Sequence, residues 1–520
     1  MTNQEKNILW WSIIGAIALF IVMVGMARAQ TFDGPAELPR TTPAVVAVSL
    51  NNPIVVPAGG NLQATINSAI CGDTIQYDPA GIWTTAAFIQ PSISTCDAQH
   101  WITIDGKGGK IVLAGSNATI KGGIFVRLAN FTITRISGTG VMYNMIAPEA
   151  GAHDIIYDSL DVEGTMTDET VRAFELSNVP NVAILNTKVR EMHCLANTGT
   201  CTDSQAVNFG LDKVNQGGNY LFDHDDFEAA GENILGGGDA ANFMPCDITI
   251  TNTRLAKPYS WNPNEPMFAG RQWIVKNLFE LKNGCRVLFA NNKLDGAWGG
   301  YTQTGFAILL TPKNPANTCP NCAVTDVTLR NFTSTKTAQA FQIGCGPSDT
   351  GGWPVDCGRY SIHDFSFSQL QYPTCYKCGG FITQISSAFG PAGSPVLHDV
   401  TINLGTFDLD AWYKPTGCPS CGHGFLLIGG PPTGMPNIQF TNNVTFSGNY
   451  PIYSTGGGAA VNCAISGTSD YVSLINSCWT GKSAFIGNVI LSTGAPGRVG
   501  LANWPSGNHI VTAGQNVNGN

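Results

Sequence analysis

Short apolar runs with a two-residue period recur along the chain, and each run ends in a small polar residue. The unit reads V-x-φ-x-N, where φ is apolar. Its copies begin at Ile155, Val182, Tyr220, Ile248, Val287 and Val327, and in weaker form at Tyr360 and Ile438. Alternate side chains of a strand share one face, so the first and third positions are predicted to point inward. The Asn, or the Asp or His in its place, is predicted to lie at the following turn and to form an internal ladder.

A longer repeat contains this unit. The stretches FELSNVPNVAILNTKV from Phe174 and FELKNGCRVLFANNKL from Phe279 lie 105 residues apart and are identical at seven of sixteen positions. A unit this short cannot bury its own apolar face, so its copies must stack. We therefore predict one all-β solenoid, a parallel β-helix, over residues 101–510. A β-propeller or sandwich is the alternative, but no hairpin turns link the strands.

A capping helix is predicted in front of the repeats. In NLQATINSAICGDTIQYDPAG the apolar residues from Leu62 to Ile70 share one helical face, Asn61 can cap the start and Gly72 can end the helix. We predict an N-terminal cap over residues 61–100. A linker is expected at 30–60, and a tail is expected at 511–520.

The first thirty residues read MTNQEKNILWWSIIGAIALFIVMVGMARAQ. Lys6, the apolar run from Ile8 to Met26 and the A-x-A at Ala27 to Ala29 predict a signal peptide over residues 1–29. An uncleaved membrane anchor is the alternative, because the run is long for a signal. The protein is therefore expected outside the cell, in the periplasm or on the cell surface. It would meet the membrane only through this segment, if uncleaved.

The sixteen cysteines suggest disulfides in an exported chain. Pairing of sequence neighbours is predicted: Cys71/Cys96, Cys194/Cys201, Cys246/Cys285, Cys319/Cys322, Cys345/Cys357, Cys375/Cys378, Cys418/Cys421 and Cys463/Cys478. Three of these pairs are C-x-x-C, so a zinc site built from two of them is the alternative. The net charge of −9 and the absence of a basic stripe argue against a nucleic-acid partner.

The cap and the repeats together resemble the right-handed β-helix branch of the pectin-lyase-like superfamily, over roughly residues 61–506. The strings AAGENI, VKNLFELKN and QTGFAILLTPKN look most like uncharacterised secreted bacterial members. The resemblance implies a right-handed parallel β-helix. Characterised members are mostly polysaccharide lyases and glycoside hydrolases, beside adhesins and phage tailspikes. FDHDDF (residues 222–227) resembles a pectate-lyase strand and Gly422-His423-Gly424 a polygalacturonase signature, but their catalytic partner residues are missing here.

The stretch LFDHDDFEAAGENILGGGDA, residues 221–240, holds six carboxylates. His224 falls on the Asn position of the repeat, and Asp226 aligns with Lys188 and Arg254, which predicts a surface charge ladder. Alternation places Asp223 and Asp225 outward on one face. Two outward carboxylates can form half of a calcium site, so calcium is a possible cofactor.

The remaining acids adjoin a second candidate stretch, WIVKNLFELKN, residues 273–283. Val275, Phe279 and Leu281 are predicted inward, and the charged residues between them outward. Mixed charges with aromatic rings suit a carbohydrate. The predicted catalytic residues are Glu228, Glu232, Lys276, Glu280 and Lys282. The predicted substrate-binding residues are Asp239, Trp298, Tyr301 and Gln303. A solvated salt-bridge patch is the alternative, because Glu175 lies in the same F-E-L context.

Two classes of function follow. The first is binding or cleavage of an extracellular, acidic polysaccharide by a lyase or a glycoside hydrolase. A lyase would use Lys276 or Lys282 as base or charge neutraliser, and a hydrolase would use a carboxylate pair such as Glu232 and Glu280. The second class is a non-catalytic surface, sheath or adhesion protein that is stabilised by disulfides, with self-association possible.

Overall fold

The computed structural model of the chain describes residues 32–47, 52–195, 201–300, 304–409, 424–447, 450–454, 463, 470–491 and 504–511. The predicted signal peptide, Tyr301, Gln303 and the Cys418/Cys421 pair lie outside these residues. Within the described ranges, no helix has the length and apolar character needed to cross a membrane.

Parallel strands wind into successive coils, and each coil gives one strand to each of three sheets. Strands are numbered in chain order. Sheet 1 contains β3 Ile54–Val56, β4 Thr74–Tyr77, β7 Ile102–Asp105, β10 Ile124–Ala129, β13 His153–Asp158, β16 Pro180–Leu185, β19 Gly218–Asp223, β22 Cys246–Thr251, β25 Gly284–Ala290, β35 Ile438–Thr441 and β39 Ala484–Ile486. Sheet 2 contains β5 Ile82–Thr85, β8 Lys110–Leu113, β11 Thr132–Arg135, β14 Asp161–Glu163, β17 Lys188–Met192, β20 Asp226–Ala229, β23 Arg254–Ala256, β26 Lys293–Ala297, β36 Val444–Phe446, β40 Val489–Leu491 and β41 His509–Val511.

Three long strands bend through both of these sheets and join them: β28 Ala323–Thr337, β30 Asp356–Leu370 and β32 His398–Leu409. Sheet 3 contains β6 Ala87–Gln90, β9 Thr119–Gly122, β12 Met142–Ile146, β15 Thr170–Glu175, β18 Gln205–Phe209, β21 Glu232–Gly236, β24 Phe279–Leu281, β27 Phe306–Leu310, β29 Gln339–Cys345, β31 Phe381–Ser387, β33 Gly424–Gly429 and β37 Tyr450–Ser454. Two short pairs lie outside the three sheets: β1 Phe32–Asp33 with β2 Ala36–Glu37, and β34 Met435–Pro436 with β38 Trp479–Thr480. Among the described residues, the helices are α1 Leu62–Asn67 and α2 Tyr471–Cys478, with 3₁₀ turns at Tyr259–Trp261 and Pro315–Asn317.

The register of sheet 1 is the one that the V-x-φ-x-N repeat predicts. Val182 pairs with Tyr220, Tyr220 with Ile248, and Ile248 with Val287, all in parallel. The first and third positions of the unit are fully buried, as Val182 and Ile184 show. The prediction of an all-β, right-handed parallel β-helix is confirmed.

The interior is filled by stacked side chains because equivalent inward positions of successive coils lie one above another. Phenylalanine rings continue this stack through the later coils. Phe332 stacks on Phe365 with ring centroids 5.4 Å apart, and Phe440 stacks on Phe485 at 5.4 Å. Burial of these large apolar surfaces is the main driving force that holds the coils together.

The repeat Asn does not form the internal ladder that was predicted. Asn186, His224 and Asn252 all have positive φ, between 51° and 59°, and all are exposed. The turn from sheet 1 to sheet 2 needs one left-handed residue, a conformation that Asn tolerates, and this turns the side chain outward. Asn252 Nδ2 donates to Asp223 Oδ1 of the preceding coil at 2.8 Å.

The buried ladder is formed by the residue that follows the repeat Asn. The Thr187 N–H donates to Asp225 Oδ1 at 2.8 Å, and the Thr253 N–H donates to Asn292 Oδ1 at 2.8 Å. The Asp225 N–H donates to Thr253 Oγ1 at 3.3 Å. Asn443, Asn488 and Asn508 repeat the pattern in the last coils. The prediction was therefore wrong by one position.

The N-terminal helix is confirmed, but it is shorter than predicted. Asn61 caps it, since its Oδ1 accepts from the Ala64 N–H at 2.9 Å, and Leu62 and Ile66 are buried. The helix ends at Asn67, and Ile70 is 68% exposed. Ile70 therefore lies beyond the helix and does not join its buried face.

Residues 32–47, which we name the strap, are not a free linker. They follow the outer face of sheet 1, where Asp33 pairs with Arg330 at 2.8 Å and the Arg40 N–H donates to Asp247 Oδ1 at 2.8 Å. Near its end, Val46 packs against an apolar group that includes Leu185 and Leu221. Outward apolar residues on sheet 1 are thereby covered by the protein's own N-terminal segment.

Seven of the eight predicted disulfides lie within the described residues, and all seven are present. Their Cα–Cα distances range from 4.5 to 5.7 Å. They are Cys71–Cys96, Cys194–Cys201, Cys246–Cys285, Cys319–Cys322, Cys345–Cys357, Cys375–Cys378 and Cys463–Cys478. Two of the three C-x-x-C motifs therefore form disulfides, and the zinc alternative is wrong for them.

Candidate active site on sheet 3

Five charged side chains gather on the outer side of sheet 3, where β18, β21 and β24 are neighbours. Strand pairing sets Gln205 beside Glu232, and Leu235 beside Glu280, so three successive coils contribute. Glu280 points outward because Phe279 and Leu281 on either side of it are buried in the core. We name these five residues the charge cluster: Asp203, Glu232, Lys276, Glu280 and Lys282.

Two ammonium groups hold the three carboxylates. Lys276 Nζ lies 2.6 Å from Asp203 Oδ1 and 3.5 Å from Glu232 Oε1. Lys282 Nζ lies 3.2 Å from Glu280 Oε1. The second oxygens of Glu232 and Glu280 accept from side-chain amides: Gln205 Nε2 donates to Glu232 Oε2 at 2.8 Å, and Asn277 Nδ2 donates to Glu280 Oε2 at 2.9 Å.

The cluster is outward but not exposed. The Glu232 side chain has no exposed surface and that of Glu280 is 2% exposed. Strand alternation gives the direction of a side chain, whereas exposure depends on what the adjacent coils place above it. Asp203 remains 30% exposed, so it is the carboxylate of the cluster that solvent reaches most easily.

The two carboxylates that share Lys276 have pKa values shifted in opposite directions. Burial and the negative charge of Glu232 raise the pKa of Asp203 to about 6. Burial also opposes ionisation of Glu232, but the positive charges of Lys276 and Lys282 outweigh it and lower the pKa of Glu232. Near pH 6 the pair therefore offers one carboxyl that is about half protonated and one that is ionised. That division is what acid–base chemistry requires.

Lys257, a residue that sequence reasoning missed, supports the corner that leads into β21. Its Nζ donates to the carbonyl oxygens of Ala229, Ala230 and Gly231 at 2.7–3.0 Å, and to Asn233 Oδ1 at 3.2 Å. Burial lowers the pKa of Lys257 to about 7. These contacts fix the residues on both sides of Glu232. Nothing in the sequence around Lys257 marks it, since its acceptors lie in the preceding coil.

An aromatic pocket of about 160 Å³ is lined by Ile274 and Val275, the two residues that precede Lys276 in the sequence. Trp273, Trp298 and Tyr376 supply its rings. Trp298 is thus placed in a cavity wall, although only 2% of it is exposed. Val275 packs with this tryptophan group rather than in the main core, so its predicted inward position was wrong. Tyr301 and Gln303 cannot be placed, because they lie outside the described residues.

Glu228 and Asp239 do not join the cluster. Glu228 lies on β20 of sheet 2, where burial and Asp226 raise its pKa to about 7 and Arg190 and Arg254 oppose the shift. Asp239 is exposed, and its carboxylate accepts from the Ala240 N–H at 2.7 Å. The predicted grouping of Glu228 with Glu232 and Glu280 was therefore wrong. Asp239 follows Gly238, whose added Cβ would lie 3.9 Å from Lys282 Nζ, and its substrate-binding role stays a prediction.

The glycines before Asp239 accommodate the protein's own chain. A Cβ on Gly237, where φ is +86°, would lie 2.7 Å from the Asn283 Cβ. A Cβ on Gly236 would meet Phe209 at 2.7 Å. The neighbouring coils therefore fill the space above Gly236 and Gly237, and these two glycines serve close packing.

The two acids of the possible calcium site face opposite ways. Asp225 is 3% exposed and belongs to the buried ladder, whereas Asp223 points outward and accepts from Thr251 Oγ1 and Asn252 Nδ2. The alternation fails there because a turn separates the two residues. Among the described residues, no group of three or more His, Cys, Asp or Glu side chains is arranged to hold a metal ion. These residues therefore do not fit calcium.

The surface charge ladder on sheet 2 is present as predicted. Asp226 pairs in register with Lys188 on one side and with Arg254 on the other. Arg254 contacts Asp226 Oδ1 at 3.0 Å and Asp295 Oδ2 at 2.9 Å. Its position on sheet 2 separates it from the charge cluster on sheet 3.

No protein-family model and no curated protein sequence matches the chain. Among solved structures, the Streptococcus pneumoniae surface protein and adhesin PfbA is 9% identical with a TM-score of 0.44, over 84% of this chain and 91% of that one. A Yersinia enterocolitica family 28 exopolygalacturonase is 9% identical with a TM-score of 0.40, over 90% and 80%. The Dettilon tailspike protein is 11% identical with a TM-score of 0.40, and the match spans 80% of this chain but 62% of the tailspike. All three are right-handed β-helix proteins, and the likeness concerns the fold alone.

Proposed function

We propose that the protein acts outside the cell on a polysaccharide, and that it hydrolyses glycosidic bonds at the charge cluster. One observation carries the proposal: Asp203 and Glu232 share the Lys276 ammonium, yet their pKa values shift in opposite directions. Glycoside hydrolysis needs one carboxyl that gives a proton to the leaving oxygen and one carboxylate that acts as nucleophile or base. Asp203 takes the first role and Glu232 the second.

The lysines are poor candidates for the base of an elimination reaction. The carboxylates raise the pKa of Lys276 despite its burial, and Glu280 and Glu232 do the same for Lys282. Both side chains therefore stay charged at neutral pH, whereas a base must be neutral to accept a proton. Their charges are also balanced by three carboxylates. Hydrolysis of a neutral sugar unit thus fits the cluster better than elimination from an acidic one.

The aromatic pocket, which is lined by the two residues that precede Lys276, supplies a place for a sugar ring. Trp298 and Tyr376 line it, and the Gly299 N–H donates to the Tyr376 carbonyl at 3.0 Å, which fixes one wall. Aromatic rings present flat apolar surfaces that suit the faces of a sugar ring. In this account, the pocket binds one sugar unit, and the charge cluster hydrolyses the glycosidic bond that joins this unit to the next.

A location outside the cytoplasm is part of the proposal, because seven disulfides need an oxidising compartment. The strap contacts sheet 1 rather than sheet 3. The strap already covers part of the outer face of sheet 1, and its contacts reach from Arg127 to Arg330.

A second function remains open, that of a non-catalytic surface protein. The burial of Glu232 and Glu280 favours it, since a buried network of paired charges holds neighbouring coils together without needing a substrate. Similar structures include a polygalacturonase, a glucanase and an adhesin, so enzymes and adhesive proteins both use this fold.

A screen of the purified chain against a panel of neutral and acidic polysaccharides tests the proposal. New reducing ends without absorbance near 235 nm would support hydrolysis, and absorbance near 235 nm would show elimination instead. Retention of the protein on a polysaccharide column without cleavage of the polysaccharide would indicate that the protein binds the polymer but does not hydrolyse it. Neither retention nor cleavage across the panel would favour the structural role.

A further inference from the structure

Polar side chains from three successive coils form a hydrogen-bonded row at the start of sheet 3. Strand pairing sets Arg172 of β15 beside Gln205 of β18, and Gln205 beside Glu232 of β21. Arg172 Nε donates to Gln205 Oε1 at 3.0 Å, and Gln205 Nε2 donates to Glu232 Oε2 at 2.8 Å. Arg172 is partly exposed, whereas Gln205 and Glu232 are buried, so the row leads from the surface to the charge cluster. We name Arg172 and Gln205 the relay.

Arg172 fixes the orientation of the Gln205 amide. A guanidinium has only donors, so the amide must turn its oxygen toward Arg172 and its NH₂ group toward the next coil. There it meets the carboxylate of Glu232, which when ionised only accepts. Arg172 is itself held by Glu175, whose Oε2 lies 3.1 Å from Arg172 Nη1. The relay therefore presents an amide hydrogen to Glu232 in one fixed direction.

The two carboxylate oxygens of Glu232 differ as a result. Oε2 accepts the hydrogen bond from Gln205, whereas Oε1 is buried and has no hydrogen-bond partner among the described residues. Oε1 lies 3.5 Å from Lys276 Nζ, the ammonium that also contacts Asp203. A buried carboxylate oxygen without a hydrogen bond calls for an explanation, and a role in catalysis is one.

The relay acts on the ionisation of Glu232 in the same sense as the nearby ammonium groups. Burial opposes ionisation, but the charges of Lys276 and Lys282, the hydrogen bond from Gln205 and the charge of Lys257 lower the pKa of Glu232. Gln205 differs from these lysines because it carries no charge. Its effect depends on the direction of its amide, which Arg172 sets.

We propose that Arg172 and Gln205 are positioning residues of the charge cluster, which hold Glu232 Oε2 so that Oε1 is the oxygen available to the reaction. This inference rests on the proposed hydrolysis, in which one water is consumed. The Asp203 proton goes to the leaving sugar oxygen, and Glu232 Oε1 either bonds to the anomeric carbon or takes the proton of the attacking water. Neither residue of the relay touches the reacting atoms.

The pH profile of hydrolysis tests this inference on a polysaccharide that the parent cleaves. Gln205→Leu removes the donor to Glu232 Oε2, so the acidic limb of kcat/KM should move up by about one pH unit while the alkaline limb stays in place. Arg172→Met frees the amide to turn and should move the acidic limb in the same direction. Arg172→Lys, whose ammonium can still donate to Gln205 Oε1, should restore the parent profile.

Arg190→Met is the matched control, because Arg190 is a partly exposed arginine of sheet 2 that pairs with Asp161 at 3.0 Å. It should leave both limbs unchanged. Circular dichroism identifies the folded variants. If Gln205→Leu does not fold, Gln205→Asn breaks the same two hydrogen bonds with a side chain that is one methylene shorter. An unmoved acidic limb in the folded Gln205 variant, or an equal shift in Arg190→Met, would overturn the inference and leave the proposed hydrolysis standing.

Urea unfolding at pH 7 tests the relay without a substrate. Strand β18 separates Arg172 from Glu232. In a double-mutant cycle, Arg172→Met and Glu232→Gln should be coupled by at least about fivefold in the unfolding equilibrium constant. The coupling should vanish in the Gln205→Leu or Gln205→Asn background. Coupling that persists there would be direct attraction between the two charges and would overturn the relay, as would its absence from the parent background. A parent that cleaves no polysaccharide would overturn both the proposed function and the role of Oε1.

Discussion

The Asp203 Oδ1 atom lies 2.6 Å from the ammonium nitrogen of Lys276, although the two residues belong to coils that are not adjacent. Glu232, from the coil between them, approaches the same nitrogen at 3.5 Å. A single lysine thus ties three coils of sheet 3 into one site. The pKa directions of the two carboxyls follow from how each is placed around that charge and from its burial.

The first prediction concerns pH. Burial raises the pKa of Asp203 to about 6, so its protonated form is lost as the pH rises through that value. If Asp203 is the general acid, kcat/KM should fall on the alkaline side with an apparent pKa near 6. Initial rates between pH 4 and 9, on any polysaccharide that the chain cleaves, would show it. A profile that is flat from pH 5 to 8 would argue against this role.

The second prediction concerns Asp225, the one carboxylate in the buried ladder between Thr187, Thr253 and Asn292. Burial raises its pKa well above the ordinary range, and its Oδ2 atom has no hydrogen-bond partner. The folded state therefore holds the proton more tightly than the unfolded state. The resulting stability is complete below the unfolded pKa of about 3.9 and is lost as the pH rises through the folded pKa.

Asp225→Asn should therefore increase the free energy of unfolding at pH 7.5 by about 1–3 kcal/mol, and by less at pH 4. Urea unfolding at both pH values measures this. Asp223→Asn is the matched control: burial opposes its ionisation, but hydrogen bonds from Asn252, Thr251 and His224 lower the pKa of Asp223. That control should lose stability at neutral pH. Equal changes in the free energy of unfolding for Asp225→Asn and Asp223→Asn would contradict the raised pKa of Asp225.

The third prediction concerns the pair of Glu280 and Lys282, which is mostly buried. Glu280→Gln leaves the ammonium without its counter-ion and should cost about 1–3 kcal/mol of folding free energy. Adding Lys282→Met should recover part of that loss, with a coupling energy of at least about 1 kcal/mol in a double-mutant cycle. Glu175→Gln, in the same F-E-L context but with 15% of its side chain exposed, should cost less. Additive effects of Glu280→Gln and Lys282→Met would show that the pair is not coupled.

The fourth prediction concerns the cysteines. Peptide mapping under non-reducing conditions should recover the seven neighbour pairs of the structure, including Cys246–Cys285 between adjacent strands of sheet 1. It should also show Cys418–Cys421, which the sequence predicts. Stoichiometric zinc in the purified protein, together with the absence of the C-x-x-C linkages from the peptide map, would contradict the pairing.

The repeat made the fold predictable, because a stacked coil needs the same inward pattern at every level. Val182, Tyr220 and Ile248 therefore fall in register, and the outward direction of Glu280 follows from its neighbours. Exposure was not predictable in the same way, since it depends on side chains from other coils.

The features that the sequence hid depend on contacts between distant segments. Asp203 precedes β18 in a stretch without a repeat copy, and its partner Lys276 is far along the chain. The strap has no pattern of its own, yet it explains why outward positions such as Ile156 and Ala183 are apolar, since Val46 belongs to the same cluster. The buried ladder was predicted one position too early, because one left-handed residue at each turn reverses the inward–outward alternation of side chains.

The most direct test of the central claim is the rate of polysaccharide hydrolysis by four forms of the protein: the parent, Asp203→Asn, Glu232→Gln and, as the control on sheet 2, Asp226→Asn. On a substrate that the parent cleaves, we expect kcat to fall at least about 100-fold in the first two variants and to be unchanged in the third, with circular dichroism showing that all four are folded. Parent-like rates in folded Asp203→Asn and Glu232→Gln would contradict the assignment of the charge cluster as the active site.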